Sequence, residues 1–190
     1  MADYVSYTTE AIILSRISRG EHDIAVTCLT HSLGIISAVS RSARKEVSRQ
    51  RYGLTIGSRS TVTLVRGRQW RITSVVPVRT ADFAAGVAPA WRHVMKTVET
   101  VLPRGVDDVR IFNAVAEITD TAHDVAPAHA GLFELWAQGH ILHIAGLFDP
   151  VAGHVADMPF AEAQDRIAAE LDVFGASVRR GLHALGILMQ

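Results

Sequence analysis

The sequence predicts an α+β protein in which a small five-stranded β-barrel, residues 1–83, precedes an α-helical domain, residues 84–190. Three observations carry that expectation. β-Branched residues are dense and turn residues closely spaced over the first 80 positions. After "TADFAAGVAPA" the apolar period changes from two to between three and four. The charge balance also changes sign there. Residues 1–85 hold 12 Lys/Arg against 6 Asp/Glu, a balance of +6, and residues 86–190 hold 7 against 13, a balance of −6. The formal net charge of zero therefore hides two unlike halves.

Five strands are predicted, at 11–17, 23–30, 34–40, 60–65 and 70–78. The first three are joined by the short turns "SRGEH" and "HSLG", and the last two by the tight Arg66-Gly67-Arg68. Only the connection from the third strand to the fourth is long. Three strands in meander, a long link and a hairpin fit a small Greek-key barrel of the oligonucleotide-binding type, whose closure removes exposed edges. Alternation places Ile24, Val26 and Cys28 on one face of the second strand, and Val62 and Leu64 opposite Thr61 and Thr63 on the fourth. On the fifth, Trp70, Ile72 and Val76 are expected to share a face, with Arg71, Thr73 and Val75 on the other.

Helices are predicted at 88–102, 106–123, 128–146 and 159–189, the last divisible in two near Gly175. In the third, Leu132, Leu135, Trp136, Gly139, Leu142 and His143 recur at helical spacing, and Gly139 is suited to a close helix approach.

Within the basic half, residues 41–71 concentrate nine Lys/Arg against Glu46 alone, beginning in "SRSARKEVSRQR" at 40–51. A solvated basic face is the plain reading of such a run. The barrel pattern adds another, because this architecture binds nucleic acid on the face of its second and third strands and on the loops after the first and fourth. Arg16 and Arg19 flank the first loop, Arg66 and Arg68 bracket the fourth, Arg71 follows it, and Arg41, Arg44, Lys45, Arg49 and Arg51 leave the third strand. A planar guanidinium offers paired donors to phosphate. Contact with about five phosphates of a single strand would give log K against log salt a slope near −3.5. Trp70 and Tyr52 are candidate stacking surfaces, although the apolar neighbours of Trp70 favour core packing. The competing reading is a protein-interaction adaptor whose basic surface meets an acidic protein instead of DNA.

Signatures for nucleotide hydrolysis, acyl transfer, zinc proteolysis and thiol chemistry are missing, so neither an enzyme nor a cofactor is expected. The histidines His123, His129, His140, His143 and His154 raise a metal question, since "GHILH" sets two imidazoles at i and i+3, where one ion can reach both. No carboxylate has matching spacing on that helix, and hydrogen-bonded core or rim histidines are the preferred reading; no metal ligand is assigned. Cys28, the one cysteine, sits in an apolar strand pattern and is expected to be a buried, inert thiol. No basic leader with an apolar core is seen, and no apolar run reaches the ~18 to 20 residues of a membrane span, so a cytoplasmic, nucleoid-associated location is expected.

The N-terminal half resembles the RecO family of bacterial recombination mediators. The similarity runs through the opening strand "EAIIL" at Glu10–Leu14, the turn Gly20-Glu21-His22-Asp23, Thr30 and Gly34 before the third strand, and the basic exit "SRSARKEVSR". In the helical half "GLFELWAQGHILHIAGLFDP" is similar to the family's "FELxLLxxxGxxP" helix. The four zinc cysteines of many members are not present, and the C-terminal half is shortened. The resemblance implies a non-enzymatic DNA-binding and strand-annealing protein on single- and double-stranded DNA. It also implies cooperation with RecR and single-strand-binding protein to load RecA.

Overall fold

The computed structural model describes residues 5–41 and 50–186, without the side chains of residues 50, 51, 150 and 151. Its first strands are β1 (Ser6–Arg19), β2 (Asp23–Thr30) and β3 (Gly34–Ser40). After a short helix α1 (Gln50–Gly53) come β4 (Arg59–Arg66) and β5 (Trp70–Arg79). They close a barrel in the order β1-β2-β3-β5-β4, with β4 returning to β1. All pairings are antiparallel except β3 with β5, which is parallel over Ala38–Ser40 against Trp70–Ile72. The predicted α+β class and closed barrel of the oligonucleotide-binding type are what the chain forms.

On β2 and β4 the inward residues are those the alternation predicts: Ile24, Val26, Cys28, Val62 and Leu64 share one buried cluster, joined by Ala11 and Ile13 of β1 and Ile36 and Ala38 of β3. Strand β5 departs from its predicted phase. Leu64 faces Ile72 while Thr63 faces Ser74, so Thr73 is an extra residue, a β-bulge. Trp70 and Ile72 point inward before it and Val75 packs inward after it, whereas Val76 is 58% exposed. A one-residue insertion into a period of two exchanges the faces, which is why the expected Trp70, Ile72 and Val76 alignment fails.

The long link holds structure that its composition did not announce. Leu54, fully buried, follows α1 into the barrel core. The buried hydroxyls of Ser58 and Ser60 both donate to the Gly53 carbonyl, at 2.9 and 2.8 Å. Gly53 also lies so close to Val75 that a Cβ there would fall 2.6 Å from its Cγ1. At the β2–β3 turn, buried Thr30 accepts from the Leu33 amide at 3.0 Å and donates to the Gly34 carbonyl at 2.8 Å. Gly34 has φ +63°, and a Cβ on it would meet the Val106 carbonyl oxygen at 2.1 Å. Threonine and glycine are needed at these two positions for separate reasons, one bonding and one steric.

By backbone contacts the chain divides into two compact units, Met1–Asp82 with Pro103–Phe112, and Phe83–Leu102 with Asn113–Gln190. In the first, the segment at 103–106 runs against the start of β3. Ile35 bridges Arg104 in parallel, the Gly105 amide donates to the Ile35 carbonyl at 3.2 Å, and Arg104 donates to Ser37 Oγ at 2.8 Å.

Helices of the second unit are α2 (Val87–Val101), α3 (Val109–Ala122, which starts in the first unit), α4 (Ala130–Ile144), α5 (Pro150–Ala156), α6 (Phe160–Ala169) and α7 (Leu171–Ala184). A single 3₁₀ turn, Pro127–His129, leads into α4. Helix α4 is apolar around most of its circumference and is correspondingly central, with Phe133, Trp136, Ala137, Gly139, Ile141 and Leu142 buried. Gly139 does admit a close neighbour: a Cβ there would lie 2.8 Å from the Phe174 ring of α7. The last predicted helix is indeed two, but the break is at Glu170 (φ −116°, ψ 32°), which closes α6 and opens α7. Gly175 lies buried inside α7, where its intrahelical bonds hold it despite its low propensity. Helix α5 was not foreseen.

Candidate nucleic-acid interface

The β4–β5 hairpin and the end of β3 bring three predicted arginines around one concavity. It measures about 540 Å³ and is lined by Arg41, Val65, Gly67, Arg68, Gln69, Arg71 and Thr73. Arg41 stands directly after β3, in line with the parallel pairing of Ser40 to Ile72. Arg71 and Val65 are cross-strand partners, and Gly67, Arg68 and Gln69 form the tip. All three guanidinium groups are on exposed residues, and none is paired with a described residue. No described lining residue is acidic. Three like charges facing one space leave a positive potential that an anion relieves.

Other predicted residues take different places. Arg66 lies over the Trp70 ring, 5.4 Å from its centroid, and Trp70 meets Tyr7 edge-on at 5.4 Å. Trp70 is half-buried against the barrel core, as its apolar neighbours suggested. Arg19 donates to Gln69 Oε1 at 3.1 Å, tying the β1–β2 turn to the hairpin tip. Arg16 is turned to the Leu54 carbonyl at 3.4 Å and is not among the lining residues. Tyr52 is 69% exposed. Arg44, Lys45, Arg49 and the side chain of Arg51 lie outside the described residues.

The face of β2 and β3 that this architecture commonly offers to nucleic acid is largely covered here, with Ser37 exposed and Ala25 half-buried. Its outward positions are Ala25, Thr27, Leu29, Ile35, Ser37 and Val39, none of them basic. Leu29, Ile35 and Val39 are buried, and Gly34 to Ser37 are met by the segment at 103–106. The cationic concavity lies on β5 and the hairpin, beside the Val39 end of that face, where Val39 and Arg71 are cross-strand partners. Val65, Gln69 and Thr73 were not singled out from sequence; their signal was adjacency to the Arg66–Arg68 turn, plus a bulge that strict alternation conceals.

The histidines are engaged structurally. His140 Nδ1 donates to the Ala156 carbonyl at 2.7 Å, and its ring stacks on Trp136. His143 Nε2 lies 3.2 Å from Asp157 Oδ2. That carboxylate arrives from beyond α5, which helical spacing along α4 had no means of showing. Among the described residues no group of three His, Cys, Asp or Glu side chains is placed to hold a metal ion, and no helix is long and apolar enough to cross a membrane. Cys28 is fully buried, and burial pushes its thiol from 9.0 up to about 12.

Residues 1–80 match the family described as "Recombination protein O N terminal". Over 96 residues the chain is 30% identical to the DNA repair protein RecO of Heliobacterium modesticaldum (strain ATCC 51547 / Ice1), a match that covers 50% of this chain and 35% of that protein. The matched part is thus about a third of that relative's length. Residues 1–80, with their barrel closed through a parallel β3–β5 seam and their Thr30 and Gly34 turn, are thus similar to the N-terminal domain of the RecO family.

Proposed function

We propose that this protein is a DNA-binding recombination mediator that anneals strands in recombinational DNA repair, acting in the cytoplasm on nucleoid DNA. The observation that supports it most is the convergence of Arg41, Arg68 and Arg71 on one concavity of a RecO-type barrel, with no acid among its described lining residues. Arginine forks bind the phosphodiester without reading bases, which suits a protein that must act on any sequence. Arg19, Arg66 and the basic residues that follow β3 in sequence, Arg44, Lys45, Arg49 and Arg51, are further proposed DNA contacts. Binding and positioning of strands, with no covalent step, is the activity proposed. Its finer part is cooperation with RecR and with single-strand-binding protein so that RecA is loaded.

Fluorescent oligonucleotide titration against salt tests it. The wild type should lose affinity steeply between 50 and 200 mM salt, and Arg41→Glu, Arg68→Glu, Arg71→Glu in one chain should flatten the slope by about 2, at ~0.7 per single-strand phosphate contact. A binding constant indifferent to salt, or a triple variant that binds DNA normally while losing an acidic protein partner, favours the adaptor reading instead.

A further inference from the structure

The lining of the concavity is mixed in chemistry. Arg41 after β3, Arg68 on the tip and Arg71 on β5 are cationic, and Val65, Gly67, Gln69 and Thr73 are uncharged, Gln69 being held by Arg19. Gly67 carries no side chain into the space, and a Cβ built on it would meet nothing nearer than 3.8 Å. The described lining therefore combines three cations with an uncharged remainder.

A volume of about 540 Å³ falls in the range of pockets that take small organic groups, ~300 to 1,000 Å³. One phosphate ion needs far less. A duplex can offer its backbone phosphates to the guanidiniums, but its bases are stacked inside and do not reach the uncharged lining without being flipped out, which costs pairing and stacking energy. An unpaired nucleotide satisfies both parts together, its phosphodiester on the guanidiniums and its base against Val65 and Thr73. Of the usual single-strand platform on β2–β3, Thr27, Leu29, Ile35 and Val39 are buried in this chain, whereas the concavity offers both kinds of contact.

We infer that the concavity at the β4–β5 hairpin seats one unpaired nucleotide of a polynucleotide, base included, so that the barrel distinguishes single strands from intact duplex. This rests on the DNA-binding reading above and assigns it a substrate form. Thr73, supplied to the site by the bulge, is then a specificity-determining position, and Arg19 a positioning residue acting through Gln69.

The test compares three labelled probes of equal phosphate number on the full chain: an oligothymidylate, the same length with abasic tetrahydrofuran units, and a blunt duplex. Oligothymidylate should bind about fivefold or more tightly than the abasic strand, the low end of what one held base contributes, and the abasic strand should bind like the duplex. Thr73→Trp, at an exposed strand position that accepts an aromatic residue, should change that ratio, and an unchanged ratio in the folded variant removes Thr73 from the site. Equal binding of thymidylate and abasic strands with a steep salt slope overturns the inference and leaves the DNA-binding reading standing. Loss of salt-sensitive binding to all three probes overturns that reading itself. The abasic comparison needs no variant, so misfolding of Thr73→Trp does not rescue the idea.

Discussion

At the scale of single residues, the two glycines that flank β2 look alike in backbone angle and differ in consequence. Gly20 (φ +65°) has nothing within 4 Å of where a Cβ would stand, whereas Gly34 (φ +63°) would drive a Cβ onto the Val106 carbonyl. Gly20→Ala should cost about 1 to 2 kcal/mol, the left-handed strain alone, and Gly34→Ala at least about twice that, as read by urea denaturation. Cys28 offers a test by pH. Its folded-state pKa, about 12, is above the ordinary 9.0, so the folded chain keeps a proton that the unfolded chain releases. This stabilising contribution is complete below pH 9 and is lost as pH rises toward 12. Cys28→Val should flatten the alkaline fall in stability relative to wild type, and the native thiol should resist a disulfide reagent at pH 8 until the chain is unfolded. Burial of Cys28 was legible because "IAVTCL" alternates cleanly. The steric need at Gly34 was not, since Val106 is 72 residues further along the chain and no local pattern connects them.

At the scale of elements, glycine in a helix separates packing from propensity. Gly139 of α4 sits under the Phe174 ring, while Gly175 of α7 has its nearest foreign atom, a flexible Arg179 nitrogen, at 3.4 Å. Gly139→Val should destabilise by about 1 to 3 kcal/mol through overpacking. Gly175→Ala should be neutral or stabilising by up to ~1 kcal/mol, as expected for removing glycine from a helix interior; thermal unfolding followed by circular dichroism reads both. The sequence made Gly139 recognisable, because it shares a stripe with Leu135, Trp136 and Leu142. It misdirected at Gly175, where propensity suggests a break that the helix's own hydrogen bonds override, the true boundary falling at Glu170. In the barrel, β2 and β3 were legible to the residue, and β5 was legible only as far as its bulge. Between Thr73 and the second register shift near Val78 a period-two rule assigns side chains to the wrong side, which is why Val76 was expected in the core.

At the scale of the whole molecule, the opposition of a basic and an acidic half was visible in composition, and so was the strand-to-helix change near residue 85. What composition does not reveal is that the barrel unit takes in Pro103–Phe112, because a segment that pairs through one bridge and one amide carries no strand signature of its own. A chain ending at residue 85 should accordingly unfold at lower denaturant than the full chain and bind more of an apolar dye, since the β3 edge at Ile35 loses its cover; an equally stable, dye-silent fragment would contradict that role. The same arrangement sets a schedule for synthesis. All five strands have been made once Arg79 is joined, yet the cover for β3 is complete only at Phe112. At ~5 to 20 residues per second that interval is about two to seven seconds. Through it the nascent barrel presents a sticky flank on the ribosome, and a chaperone has its opportunity there.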